Sequence, residues 1–379
     1  MRPVPLRVPK SFSRRDLLSV VKASAAGSEG SSNLSPGSLP MLTDRSILVT
    51  GGTGSFGQVL VQELLQRFRP RRLVIFSRDE QKQFKMAQRF SQAEYPALRY
   101  FIGDVRDAER LRRAMRDIDF VVHAAAMKHV PIAEYNPFEC IRTNIGGAEN
   151  VINAAIDAGV ERVIALSTDK AANPVNLYGA TKLCSDKCFV AANHLAGRSG
   201  TRFSVVRYGN VMGSRGSVIE HFQKLVATGA TELPITDRKM TRFWITLQHG
   251  VEFVLERLHA MAGGEIFVPK IPTMSVSDLA TAIAPQCTQK EIGIRPGEKL
   301  HEVLIPFDES RNTLEYSKHY TVFPAFNWWN VEDHLVDGGE TGRPVGENFQ
   351  YRSNSSAWRL NPDELRDLLG RGGEDGQAA

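Results

Sequence analysis

From residue 46 onward, short apolar runs alternate with amphipathic stretches, and the alternation predicts strands and helices in turn. Ser46-Ile-Leu-Val-Thr50 reads as a strand. The turn Gly51-Gly-Thr-Gly-Ser-Phe-Gly57 follows at once, and Gln58–Arg67 has the period of a helix. Further strands are predicted at Arg72–Phe76, Arg99–Ile102, Phe120–Ala126 and Arg162–Ser167, with helical stretches between them. Strands alternating with helices imply an α/β fold, a Rossmann-type doubly wound parallel sheet. Ligands of such sheets bind at the carboxyl ends of the strands, so the residues that follow each strand become the candidates for chemistry. The strict alternation weakens after Arg207–Ser217. Residues 41–210 are therefore assigned to a dinucleotide-binding domain and 211–330 mainly to a smaller C-terminal substrate-binding portion interleaved with it. Residues 331–379 read as a linker and a closing helix, with Asn361 as N-cap and Pro362 at the first helical position.

Composition changes this picture in two places. Residues 1–40 carry six basic and two acidic side chains and end in a Gly-, Ser- and Pro-rich run, so they read as a disordered extension. Ser13-Arg14-Arg15 has some character of a twin-arginine signal, but Lys22 interrupts the short apolar stretch behind it. The net charge of +5 is concentrated there. From Met41 onward 41 basic residues face 40 acidic ones, which lacks the excess expected of a nucleic-acid surface. No apolar run is long enough for a membrane helix. The four cysteines are too sparse for a disulfide framework, and no His or Cys cluster joins Cys184 and Cys188 to make a metal site. The expectation is a cytoplasmic protein with no membrane, nucleic-acid or metal partner.

The turn Gly51, Thr53, Gly54, Ser55, Phe56, Gly57 sits between a strand and a helix, the context a dinucleotide fingerprint requires. Its glycines permit a tight turn and close approach to a pyrophosphate, and the helix N-terminus offers N–H groups to the anion. At the tip of the next strand stand Ser77, Arg78, Asp79 and, one turn into the following helix, Lys82. A guanidinium there suits a ribose 2′-phosphate and hence NADP. Asp79 is read as a helix cap; as a ribose ligand it would instead mean NAD. Ala124, Ala125 and Ala126 are small enough for a cofactor to lie against the backbone.

Tyr178 and Lys182 are four residues apart, which puts both on one face of a helix. An ammonium there would lower the tyrosine pKa and make Tyr178 a base toward a sugar hydroxyl. With the glycine turn, Asp104-Val105, His123-Ala-Ala-Ala126 and Tyr178-x-x-x-Lys182 in order, residues 45–330 resemble the extended short-chain dehydrogenase/reductases. Within them, Leu166-Ser-Thr-Asp-Lys-Ala-Ala-Asn-Pro-Val-Asn-Leu-Tyr178 is similar to the inverting UDP-N-acetylglucosamine 4,6-dehydratases that begin pseudaminic acid synthesis. Sugar 4-epimerases of this fold usually lack acid and base residues after the Ser/Thr, dTDP-glucose-type dehydratases carry Asp-Glu, and membrane-bound retaining dehydratases carry Met in place of Tyr178.

The resemblance implies roles for each residue. Tyr178 would take the proton of the 4-hydroxyl, Lys170 the C5 proton, and Asp169 would protonate the departing 6-hydroxyl, with Thr168 bonded to the reacting sugar oxygen and Lys182 supporting Tyr178. Lys170 must then be neutral and Asp169 protonated, and desolvation is expected to shift both in that direction. Asp104 and Val105 join the cofactor residues. Asn210, Arg242, Arg295 and Glu298 resemble the nucleotide-clamping positions, and Lys128, after the alanine run, is placed with the substrate. The resemblance further implies a homo-oligomer. Two other readings remain at this point: a UDP-sugar 4-epimerase or 4-keto reductase, which needs no Asp169-Lys170 pair, and a non-catalytic NADP-sensing protein.

Overall fold

The computed structural model describes residues 40–214, 216–325 and 335–368, so the extension expected at 1–40 lies outside the described residues except for Pro40. Ser46–Thr50 (β1) is buried at all five positions, as a strand covered on both faces must be. It leads through the glycine turn into Ser55–Arg67 (α1), then Arg72–Ser77 (β2), Glu80–Arg89 (α2), Leu98–Ile102 (β3), Ala108–Ala114 (α3) and Phe120–His123 (β4). Gly147–Asp157 (α4), Arg162–Thr168 (β5), Leu177–Leu195 (α5) and Arg202–Tyr208 (β6) continue the alternation. Leu247–Ala260 (α6) precedes Ile266–Pro269 (β7), and Thr313–Glu315 (β8), His319–Val322 (β9) and Arg343–Pro344 (β10) follow.

These strands form one ten-stranded sheet in the order β10-β8-β9-β7-β6-β5-β4-β1-β2-β3. From β3 to β7 all neighbours are parallel, and β8, β9 and β10 add an antiparallel edge. The strand order reverses at β1 and β4, which places a crevice at their carboxyl ends.

Two boundaries differ from the sequence reading. α1 begins at Ser55 rather than Gln58, because the last residues of the glycine turn already form the first helical turn. Gly57 there lies so close to Gly52 that a Cβ would come within 2.5 Å of its Cα. β4 stops at His123, not Ala126. Its partner β1 ends at Thr50, opposite His123, and beyond that point the Thr50 hydroxyl accepts from the amides of Ala124 (3.2 Å) and Ala125 (3.3 Å). The alanines thus leave the ladder as a strand-end loop.

A second core lies beside the sheet. Strand Thr241–Ile245 pairs with Asn210–Val211 and Thr273–Ser275, and helices Val218–Ala227 and Val276–Ile283 pack over Met212, Phe222, Trp244 and Leu279. Leu360 and, from a helix at 362–368, Leu365 complete it. Asn361 caps that helix, its side chain accepting from the amides of Asp363 and Glu364.

Candidate active site

β5 ends at Thr168, and the chain makes one 3-10 turn, Asp169–Ala171, before α5. Thr168 caps this turn, accepting from the Lys170 amide at 3.4 Å and donating to Asp169 Oδ1 at 2.8 Å. Asp169 is fully buried, and its Oδ2 has no hydrogen-bond partner among the described residues. Lys170 Nζ donates to Asp169 Oδ1 at 2.9 Å and to Asn210 Oδ1 at 3.2 Å, so the residue just beyond β6 joins the pair.

Tyr178 and Lys182 lie on the inner face of α5, with Thr181, Ser185, Asp186 and Phe189, the 3.6-residue period expected of a helix packed on a sheet. Asn176 caps α5, accepting from the Gly179 amide at 2.8 Å. Behind Lys182, buried Asp186 accepts from Ser167 Oγ at 2.8 Å and from Arg207 at 3.3 Å, and Arg207 reaches Glu309 at 2.6 Å. A π-turn at Arg142–Gly146 brings buried Asn144 against this helix, where it donates to Thr181 Oγ1 at 3.0 Å and pairs with both backbone groups of Met127.

Two charge states expected at this site need correction. Lys182 Nζ donates to the Leu166 carbonyl at 2.7 Å, because α5 packs that side chain onto β5. Burial pushes Tyr178 up to about 12, opposed by the charge of Lys170 and by hydrogen bonding with Thr168. Lys170, expected to be neutralised by desolvation, moves the other way. Burial does favour its neutral form, but the carboxylates of Asp169 and Glu302 outweigh burial and raise its pKa, so the resting side chain is an ammonium.

The sequence missed two charged residues that converge on this pair. Lys299 Nζ donates to the Ala172 carbonyl at 2.6 Å and to that of Asp169 at 3.4 Å. Glu302 is 3% exposed and approaches Lys170, Arg242 and Lys299. Both belong to or follow the segment Arg295–Leu300 singled out for Arg295 and Glu298, and only the fold shows that its later residues turn inward. Arg242 is buried, with Nη1 on the Leu300 carbonyl at 3.2 Å. Arg295 is exposed and pairs with Glu298 at 3.9 Å on the outer part of the same loop. Lys128 is pushed down by desolvation and by the Lys170 charge, opposed by Glu220.

The residues expected to meet a cofactor line the other strand ends. Gly51 has φ +67°, and a Cβ there would lie 2.9 Å from the Ala125 amide, so the turn and the alanine loop touch backbone to backbone. Thr53 accepts at its carbonyl from Gln58, Gly54 is the N-cap of α1, and Phe56 stacks on Tyr208 with ring centroids 6.4 Å apart. Ser77 is buried, its hydroxyl accepting from Gln83 at 3.0 Å. Arg78 is exposed, 3.9 Å from Asp104, and Val105 is buried against Gly147. Asp79 is spent on capping α2: it accepts from the Lys82 amide at 3.0 Å and holds the Lys82 ammonium at 3.0 Å.

A parallel sheet in this order, opening on a glycine turn and carrying Tyr178 and Lys182 on the helix after β5, has the architecture of the extended short-chain dehydrogenase/reductases. The chain belongs to the polysaccharide biosynthesis protein family, whose family model matches residues 47–324. It is 56% identical over 331 residues to a UDP-N-acetylglucosamine 4,6-dehydratase (inverting) of Campylobacter jejuni subsp. jejuni, covering 87% of this chain and 98% of that one. A UDP-glucose 4-epimerase of Rickettsia akari is 38% identical, with 87% and 96% covered. The crystal structure of Pen from Bacillus thuringiensis superposes with a TM-score of 0.76 at 36% identity, covering 87% of this chain and 99% of that one. Among the described residues, no helix is long and apolar enough to cross a membrane.

Proposed function

We propose that this chain is an NADP-dependent UDP-N-acetylglucosamine 4,6-dehydratase that inverts C5, the entry reaction to pseudaminic acid. The observation that carries the reading is the Asp169–Lys170 pair, held at 2.9 Å at the end of β5 beside the base candidate Tyr178. The 56% identity to an enzyme of that name supports it. An oxidoreductase acting only at C4 has no task for an acid and a base at this position.

The residues at the crevice suit a dinucleotide. The backbone contact of Gly51 with Ala125 leaves no side chain in the way of a pyrophosphate, and the α1 N-cap, Gly54, makes no side-chain hydrogen bond to the first turn. Gly51, Thr53, Gly54, Ser55, Phe56 and Gly57 would hold the phosphates, and Asp104, Val105 and Ala124–Ala126 would flank the adenosine and nicotinamide ends. With Asp79 occupied as a cap, exposed Arg78 is the group suited to a 2′-phosphate, and Lys82, already paired with Asp79, adds less. Held by these residues, the cofactor would supply the hydride chemistry of the cycle, oxidation at C4 and reduction at C6.

Tyr178 takes the proton from the 4-hydroxyl as C4 is oxidised. The 4-keto group acidifies the C5 proton, Lys170 removes it, and Asp169 protonates the departing 6-hydroxyl, releasing water. This requires a neutral Lys170 and a protonated Asp169, whereas the resting lysine is charged. One proton moving from Nζ to Oδ1 across their 2.9 Å hydrogen bond produces the reactive arrangement with no exchange with solvent. Arg242, with Arg295, Glu298, Asn210 and Lys128, would receive the UDP and sugar groups. The reading extends to a cytoplasmic homo-oligomer, supported by four free cysteines and by the exposed Ile132, Tyr135 and Phe138 on adjoining short helices.

The test is NMR of UDP-N-acetylglucosamine incubated with the protein in D₂O. The expected product is the 4-keto-6-deoxy sugar of L-arabino configuration, deuterated at C5. Unchanged substrate, or the 4-epimer that the Rickettsia relative's name would lead one to expect, overturns the reading.

A further inference from the structure

We propose that Glu302 is a positioning residue for the elimination, its buried carboxylate holding the Lys170 side chain in place against Asp169. The inference rests on the dehydratase reading for its meaning and on geometry for its content. Glu302 lies 132 residues beyond Lys170, on a different segment, with its amide fixed by Ser353 Oγ at 2.9 Å. Its Oε1 stands 4.0 Å from Lys170 Nζ and 3.7 Å from Arg242 Nε, and its Oε2 3.7 Å from Lys299 Nζ. None of these is a hydrogen bond, and Oε2 has no hydrogen-bond partner among the described residues.

A buried carboxylate that accepts no hydrogen bond at Oε2 is unlike a structural one, which is normally satisfied. Here the carboxylate balances three cations through space while leaving their donors for other groups. Lys170 keeps its bonds to Asp169 and Asn210, Arg242 keeps its bonds to backbone carbonyls, and Lys299 clasps the catalytic turn.

The charged and titratable groups around Lys170 come from every side. Asp169 and Glu302 favour its ammonium, Arg242 opposes it, and Lys128 and Tyr178 also feel its charge. Glu302 is itself raised by burial and by Asp169, against the pull of Lys170, Arg242 and Lys299. Without the Glu302 charge, Lys170 would be more easily deprotonated and less firmly drawn toward its partner.

The experiment is amine labelling of the intact enzyme at a series of pH values, with the Lys170 peptide followed by mass spectrometry. Glu302→Gln should label Lys170 about tenfold faster than wild type at a fixed alkaline pH, the effect of about one pKa unit. Glu302→Asp, which keeps a retracted carboxylate, should show a smaller increase and serves alone if the glutamine variant does not fold. Labelling that matches wild type in the variants that fold, or an equal increase in both, overturns the inference. Faster labelling in the variant, with wild-type enzyme that leaves UDP-N-acetylglucosamine unchanged, sinks the dehydratase reading and the elimination role with it, and leaves only the hold of Glu302 on Lys170.

Discussion

Asn176 donates from Nδ2 to the carbonyl of Gly297 at 2.8 Å, joining the cap of the Tyr178 helix to a loop 121 residues further along the chain. The same side chain caps α5 through Oδ1. Asn176→Ser should keep the cap and lose the tether, raising KM for the nucleotide sugar with little change in Tm. Asn176→Ala loses both and should cost a further ~1 kcal/mol of stability. Thermal melts beside steady-state kinetics separate the two, and equal KM values for wild type and serine variant would refute the tether.

Lys170→Ala and Tyr178→Phe should stop the reaction at different points. The lysine variant is expected to lose product formation by a factor of roughly 10² or more while still oxidising C4, visible as reduced cofactor in a single turnover. The tyrosine variant should show neither reduced cofactor nor C5 deuterium. Deuterium entering C5 at the wild-type rate in Lys170→Ala would remove the base role.

Cofactor preference should depend on Arg78. With Asp79 bonded to the start of α2, Arg78→Ala is expected to weaken NADP by about tenfold or more and to leave NAD binding nearly unchanged. Titration of the apoenzyme with each cofactor decides it, and parallel losses would count against a 2′-phosphate contact.

His123 provides a pH signature of the fold. Burial, with a smaller contribution from Lys182, pushes its imidazole down to about 3, and Nδ1 sits 2.8 Å from Thr50 Oγ1. The unfolded chain therefore binds a proton below pH ~6.5 that the folded one refuses. Stability should fall as pH drops from ~6.5 toward 3, by about 4 kcal/mol in all from this group. His123→Asn should flatten the slope of unfolding free energy against pH by about one proton, and identical slopes would contradict the assignment.

What was legible in the sequence was local. Strand, glycine turn and helix at 46–67 follow from hydrophobic period and from the backbone freedom of Gly51, and the shared face of Tyr178 and Lys182 follows from helix geometry. The extra alanines assigned to β4 failed because a strand ends where its neighbour does, and Thr50 lies 73 residues away from His123. Charge states failed for a related reason. The ammonium near Tyr178 and the carboxylates that keep Lys170 charged are set by packing among β5, β6 and a loop near 300, which no spacing within the 168–182 segment encodes. Lys299 and Glu302 were hidden because charged residues in a polar loop ordinarily face water.

The smaller core carries a consequence for how the molecule assembles. Leu360 and Leu365 pack with Met212, Ile219 and Phe222, while the parallel strands from β1 to β6 pair among residues 46–208. The sheet that forms the dinucleotide crevice is thus built from earlier contacts, and the substrate side is closed by contacts of much higher sequence separation. Closing such long loops is slow, so the grip on the nucleotide sugar should mature last during synthesis of the chain, after the dinucleotide side has already taken shape.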